Sequence, residues 1–236
     1  MKDGTFQTTW TYQASDGINY CYPAPADNDI NKDPLQAPSS TFPNGAKALE
    51  ATTGIGGVTV LLRAGEIKNT YVEEMLDISA ASNQPRTAIG ITTNKKMIIF
   101  VCEGRNMTEG VAGLTTANVA KVMKDLGCTE ALNLDGGGSS TYAARPEGSS
   151  DLTVRNSPAD GAERAVSSSL LVVSTAEPTG IFDHAQLSPN NEVYTPGYEV
   201  KFEAQGVDTA GMAMELPEGL TWAVAEGSKD LGTIDE

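Results

Sequence analysis

ALNLDGGGSSTYAAR, residues 131–145, is the stretch on which the reading turns. A mostly apolar run, Ala131-Leu132-Asn133-Leu134, ends in a carboxylate, Asp135, and the next three positions carry no side chain. A strand that ends this way delivers Asp135 to the edge of a sheet. Gly136, Gly137 and Gly138 admit positive φ and let another group come close to the backbone. Their amides form a concave anion-binding nest if they point outward. Ser139, Ser140 and Thr141 add hydroxyl donors. Amides, hydroxyls and one carboxylate together suit a sugar or a phosphorylated sugar. The plain alternative is a glycine-rich turn in which Asp135 only hydrogen-bonds its own backbone.

Several familiar motifs fail on this stretch. A phosphate-binding P-loop needs Gly-Lys-Ser/Thr, and Gly138 is followed by Ser139 with no lysine. A dinucleotide fingerprint opens a helix, whereas these glycines lead into the strand-like run Ser140-Thr141-Tyr142. A nucleophile elbow needs Gly-x-Ser-x-Gly. The chain has one histidine, His184, and it lies far along the sequence in a region of different character. A Ser-His-Asp triad and zinc chemistry of the zincin type are therefore excluded for the region around residue 135.

Working outward, TTANVAKVMKDLG (115–127) predicts a helix. Val119, Val122, Met123 and Leu126 recur at i, i+3, i+4 and i+7, Thr115 or Thr116 caps the start, and Gly127 suits the position after the end. RTAIGITTNKKMIIFVCEGR (86–105) predicts a hairpin turning near Asn94-Lys95. GGVTVLLRAGEI (56–67) predicts a strand that ends at Ala64-Gly65, and TFQTTWTYQ (5–13) alternates like another. STYAA (140–144) reads as a strand after the glycines, and SSSLLVVST (167–175) as a central one. PAPADNDINKDPLQAPSSTFPNG (23–45) reads as a long loop. After the linker AEPTG (176–180), HAQLSP, YEVKFEAQGVD, LTWAVAEG and LGTID are short alternating strands broken by Pro, Gly and Asn, with Trp222 placed in a core. The expectation is an α+β chain. Residues 1–176 form a mixed β-sheet domain with flanking helices, and 181–236 form a partial Ig-like β-sandwich module.

The 236 residues are 39% hydrophobic and 20% charged, an ordinary globular composition, and no apolar run approaches the ~20 residues of a membrane helix. The net charge of −15 argues against nucleic acid or anionic lipid as a partner. An anionic small substrate then requires a local cluster of arginines. Cys21, Cys102 and Cys128 have no Cys-x-x-Cys spacing and read as free thiols, Cys102 and Cys128 within apolar surroundings. Asp27, Asp29, Asn31 and Asp33 alternate like the first half of a calcium loop, which makes calcium the one candidate cofactor. Lys32 stands where the loop's glycine belongs and Pro38 where its last carboxylate belongs, so a solvated loop is the first reading.

Three stretches then match a known pattern in order. They are ALNLDGGGSST, PRTAIGITTNKKMIIFVCEGR (85–105) and NSPADGAERAVSSSLLVV (156–173). They resemble the phosphodiester glycosidase family, which includes the N-acetylglucosamine-1-phosphodiester α-N-acetylglucosaminidase "uncovering" enzyme and bacterial relatives. Glu103-Gly104-Arg105 stands where Asp-Gly-Arg is usual, and Tyr142 where a smaller or aliphatic residue is expected. The family's Asn-Gly-Gly-Phe-Phe motif is not found in residues 1–55, and the expectation is that it lies upstream of Met1, so that the domain lacks its N-terminal part.

The resemblance implies hydrolysis of a sugar-1-phosphodiester in glycans or cell-wall polymers, by a secreted, periplasmic or surface protein. A glycan-binding or adhesion module without turnover is the alternative. Cleavage at the sugar carbon releases a phosphate monoester that is already charged, so a general acid matters less than in ordinary glycoside hydrolysis. On this reading Asp135 is the catalytic carboxylate and Glu103 a second one. Arg86 and Arg164 hold the phosphate, or else form structural ion pairs with Glu163 or Asp160. Gly136, Gly137, Gly138, Ser139 and Ser140 bind phosphate or sugar hydroxyls.

Overall fold

A computed structural model describes residues 6–26, 36–166, 169–190 and 192–235. The chain divides into two compact units, 1–142 with 154–167, and 143–153 with 168–236. In the first unit β1 (Trp10–Gln13), β2 (Asn19–Tyr22) and β3 (Lys47–Ala48) form a three-stranded antiparallel meander. A five-stranded sheet follows from β4 (Thr59–Arg63), β5 (Glu66–Ile67), β6 (Arg86–Thr92), β7 (Met97–Cys102) and β8 (Cys128–Asn133), ordered β5-β4-β8-β6-β7. Every pairing in it is antiparallel.

The one α-helix among the described residues, α1 (Thr116–Asp125), follows from its sequence. Thr115 accepts the Asn118 amide at 3.2 Å as N-cap, and Gly127 takes φ +84° just beyond the end. Val119, Ala120 and Met123 are buried against Leu61, Leu62, Ala88, Cys128 and Ala131 of the sheet, with Ile98, Phe100 and Leu114 at the margin of this core. Leu126 is instead 49% exposed, because it is the C-cap and lies beyond the face that meets the sheet. Gly90 leaves room for this packing, since a β-carbon there would stand 2.7 Å from Met123 Cε, 2.8 Å from Cys128 Sγ and 3.0 Å from the Glu130 carbonyl.

The expected turns form. Lys95 takes φ +60° between β6 and β7. Ala64 and Gly65, both at positive φ, join β4 to β5 in the manner of a type I′ hairpin. Glu130 on β8 ties this turn to the N-terminal segment. Its Oε1 accepts the Ala64 amide at 2.8 Å and its Oε2 accepts the Thr8 amide at 2.8 Å. Arg63 donates to the Thr8 carbonyl and stacks 5.6 Å over the Trp10 ring.

The second unit holds a three-stranded antiparallel sheet. A short ladder of β9 (Ala143–Ala144) and β10 (Thr153–Val154) lies where the chain leaves the first unit and re-enters it. The sheet itself consists of β11 (Phe182–Ser188), β12 (Glu203–Asp208) and β13 (Ala213–Met214). Several expected strands do not form. Residues 140–144 yield only β9, because Gly137–Ser139 is a 3₁₀ turn. Residues 169–175 are irregular, with Leu171, Val172 and Val173 74–77% exposed; Ser167 and Ser168 lie outside the described residues. An apolar, β-branched run favours extended backbone, but a strand needs a partner, and none of the described residues pairs with it. LTWAVAEG is irregular up to Ala225 and then opens the 3₁₀ helix Glu226–Leu231, LGTID contributes only to that helix and the irregular chain after it, and Trp222 is 40% exposed rather than in a core.

Two outcomes are expected. Gly90→Val crowds the helix against the sheet and lowers stability by about 1–3 kcal/mol in urea unfolding. In the second unit Asp208 is 2% exposed and accepts four amides, from Met212 at 2.8 Å, Thr179 at 2.6 Å, Gly180 at 3.2 Å and Ala210 at 2.9 Å. These bonds, the Met212 amide foremost, hold its pKa at about 2 against the opposing effect of burial. Because the folded value lies below the unfolded one, this stabilisation is complete above pH ~4 and disappears as pH falls toward the folded value. Thermal melts across that window show a steeper acid loss for wild type than for Asp208→Asn.

Candidate functional site

The glycine stretch is delivered by the central strand of the five-stranded sheet. β8 lies between β4 and β6, and Asn133, 1% exposed, stands opposite Thr59 on one side and Ala88 on the other. The Leu134 amide still reaches the Thr87 carbonyl at 2.8 Å, and Asp135 then emerges exposed. Its Oδ1 accepts the Gly136 amide at 2.9 Å. The Gly137 amide donates to the Pro85 carbonyl at 2.9 Å. The turn closes through Ser139 N to Gly136 O at 3.1 Å and Ser140 N to Gly137 O at 3.2 Å.

These bonds correct the expected amide nest. The amides of 136, 137, 139 and 140 hold the turn together and are not presented to a ligand. The glycines are required for a different reason. Gly137 takes φ +60°. A β-carbon on Gly136 would stand 2.8 Å from the Pro85 carbonyl, and one on Gly138 would stand 2.1 Å from Asp160 Oδ1 and 2.3 Å from Arg164 Nη2. The bare backbone is what lets an ion pair lie directly on the turn. Arg164 donates through Nε (2.9 Å) and Nη2 (2.6 Å) to Asp160 Oδ2, and through Nη1 to Ser139 Oγ at 3.0 Å. Both side chains remain partly exposed, at 48% and 37%.

The other expected site residues are placed differently. Arg86 is 3% exposed and directs its guanidinium inward. It donates to the carbonyls of Leu114 (3.1 Å), Ile78 (3.0 Å), Ser79 (2.8 Å) and Ser82 (3.1 Å). Burial moves its pKa down from the usual arginine value. With four of its five N–H donors committed to the main chain, the buried Arg86 is a brace for two loops and not a phosphate ligand. Ser140 is 1% exposed; its hydroxyl shares a hydrogen bond with Thr87 Oγ1 at 3.0 Å and its carbonyl accepts Asn156 Nδ2 at 3.0 Å, so it too is scaffold. Glu103 accepts Thr108 Oγ1 and the Ser157 amide, each at 2.5 Å. The Thr108 hydroxyl, then the Ser157 amide, holds its pKa below the usual carboxylate range, so it stays ionised and is unsuited to donating a proton. Asp27, Asp29, Asn31 and Asp33 lie outside the described residues, and among the described residues no three His, Cys, Asp or Glu are grouped to hold a metal ion.

Sequence reasoning missed Arg105. Its Nη2 stands 3.0 Å from where a Gly137 β-carbon would be, and its Nε donates to Gln84 Oε1 at 2.9 Å. It missed equally how far one tripeptide organises the surroundings. The Gln84 side chain positions Arg105, the Pro85 carbonyl holds Gly137, and the Arg86 guanidinium holds Ile78, Ser79, Ser82 and Leu114. The three bare glycines were the available signal, because they announce that something sits on the backbone without saying what.

Comparison with known proteins places this chain in a family. No curated protein matches the chain. Among solved structures, a hypothetical protein from Synechocystis is 29% identical over 35% of this chain and 15% of its own, with a TM-score of 0.31. The catalytic domain of zebrafish N-acetylglucosamine-1-phosphodiester alpha-N-acetylglucosaminidase, auto-inhibited by its pro-peptide, is 25% identical over 67% of this chain and 47% of its own, with a TM-score of 0.36. The chain thus spans less than half the length of either. No helix among the described residues is long and apolar enough to cross a membrane. A family model described as phosphodiester glycosidase matches residues 22–173, well over half of the chain and all three of the quoted motifs. The chain belongs to the phosphodiester glycosidase family.

Proposed function

We propose that this protein hydrolyses a sugar-1-phosphodiester of the N-acetylglucosamine-1-phosphate type, in glycans or cell-wall polymers. The observation that carries the reading is the exposed carboxylate of Asp135, one residue before a turn on which the Arg164 guanidinium lies. An anion on Arg164 and Ser139 Oγ brings the sugar carbon it is attached to toward Asp135. Asp135 Oδ1 is anchored by the Gly136 amide, which leaves Oδ2 for chemistry.

In the reaction the bond between the sugar C1 and the phosphate oxygen breaks, and its electron pair leaves on the phosphate. Water adds to C1 and gives up one proton. The leaving monoester is anionic at neutral pH and is stabilised by Arg164 without prior protonation. The Asp135 carboxylate stabilises the positive charge that develops on the sugar and accepts the proton of water. Glu103, held ionised by its two hydrogen bonds, braces the loop at 103–108 against Ser157.

The reading extends to the organisation of the chain. Residues 1–176 form the glycosidase domain, and 181–236 form an Ig-like β module, a reading supported by the antiparallel β11–β13 sheet. The placement is secreted, periplasmic or at the cell surface. A second reading, a glycan-binding or adhesion module without turnover, draws on the ion pair of Arg164 with Asp160, which already neutralises the guanidinium.

Release of N-acetylglucosamine from an activated N-acetylglucosamine-1-phosphodiester separates the two. Asp135→Asn is expected to lower kcat at least 100-fold, about 2.7 kcal/mol of transition-state stabilisation. Full turnover in that variant sinks the assignment of Asp135. A wild-type protein that binds glycans and releases no sugar establishes the second reading.

A further inference from the structure

We propose that Arg105 is a second anion-binding guanidinium of this site, gripping the substrate phosphate together with Arg164, and that Asp160 is a resident carboxylate the phosphate displaces from Arg164. The inference rests on the reading of residues 135–164 as a sugar-phosphodiester site and names the groups that recognise the ester.

The two arginines meet the same short piece of backbone. Arg105 Nη2 lies against Gly137 and Arg164 Nη2 against Gly138, consecutive residues whose Cα atoms are about 3.8 Å apart. Neither glycine has a side chain to keep the guanidinium groups apart or to cover them. The partners of the two arginines differ. Arg164 is paired with Asp160, in the one-oxygen, two-nitrogen arrangement that a phosphate oxygen also adopts. Arg105 has no carboxylate partner among the described residues, in a chain whose acidic residues outnumber its basic ones 31 to 16. It is aimed by a neutral group instead. Gln84 Oε1 takes Nε and leaves the two terminal nitrogens for another acceptor.

The backbone also points to a held geometry. Arg105 and Asn106 take φ +56° and +54°, a left-handed pair without glycine, secured by their amides on the Ala112 (3.2 Å) and Val111 (2.9 Å) carbonyls. Non-glycine residues in this conformation cost energy and persist where surrounding bonds impose it. Here the imposed turn presents Arg105 to Gly137. A phosphate entering from solvent then meets one guanidinium that is unpaired and one that exchanges a carboxylate for it. No net charge is buried in the exchange, because Asp160 is already partly exposed and returns to water.

The test measures inhibition by inorganic phosphate and by neutral N-acetylglucosamine, with kcat and KM for the activated diester, in full-length wild type and in Arg105→Gln, Arg105→Lys, Gln84→Leu and Asp160→Asn. Direct titration of phosphate and of N-acetylglucosamine 1-phosphate accompanies the kinetics. Arg105→Gln is expected to weaken phosphate at least tenfold and raise KM similarly, with inhibition by the neutral sugar unchanged. Arg105→Lys restores part of the loss, since an ammonium keeps the charge without the fork. Gln84→Leu produces the same loss more weakly, and Asp160→Asn tightens phosphate several-fold. If wild type binds no phosphate, or Arg105→Gln leaves both phosphate affinity and KM unchanged, the second guanidinium is refuted even where sugar release is intact. Weaker phosphate binding in Asp160→Asn refutes the displacement. Phosphate binding that depends on Arg105 in a protein that releases no sugar upholds the clamp and refutes the hydrolase instead.

Discussion

A buried cation solvated by carbonyl oxygens organises the first unit. Arg86 is 3% exposed, and among the described residues no carboxylate neutralises its guanidinium. Four main-chain oxygens do so instead, from Ile78, Ser79, Ser82 and Leu114. An unsolvated buried charge is prohibitively costly, so the loops that supply these carbonyls cannot leave without stranding it. Arginine suits the position because its five donors spread in a plane and reach several acceptors at once, which an ammonium on a single stem does not.

The neighbours of Arg86 carry this constraint to the candidate site. Pro85 has no amide to donate, and its carbonyl receives the Gly137 amide. Gln84 pairs with Leu114 through its backbone and holds Arg105 through its side chain. Three consecutive residues leading into β6 thus fix the glycine turn, the arginine beside it and the loops behind it. The amides of Gly136, Gly137, Ser139 and Ser140 are satisfied within the protein. On the proposed function, recognition of an anion falls mainly to the side chains laid over this turn, which its bonded backbone helps to position.

The charge of the chain makes the same point at larger scale. A net charge of −15 repels an anionic ester at a distance. On the proposed function, local guanidinium groups overcome this only at short range, where screening leaves the contact pair but not the distant field. Arg105 and Arg164 lie where the backbone is barest, each against one of the consecutive glycines 137 and 138.

Short-range order was legible in the amino acids. The helix at 116–125, its cap at Thr115 and Gly127 and the hairpin of β6 and β7 depend on neighbours within a few positions, and the pattern of side chains states them. The three glycines likewise declared a close approach. What approached them was not legible, because Arg105 comes from 32 positions upstream of Gly137 and Arg164 from 26 downstream of Gly138, and only the packed sheet brings them to one turn. The inward course of Arg86 was hidden for the same reason: an arginine at the start of a strand looks the same whether its acceptors are solvent, phosphate or four distant carbonyls. The run at 170–173 shows the limit from the other side. Its composition states a preference for extended, buried backbone, but pairing is a property of two segments, and the sequence of one cannot supply the other.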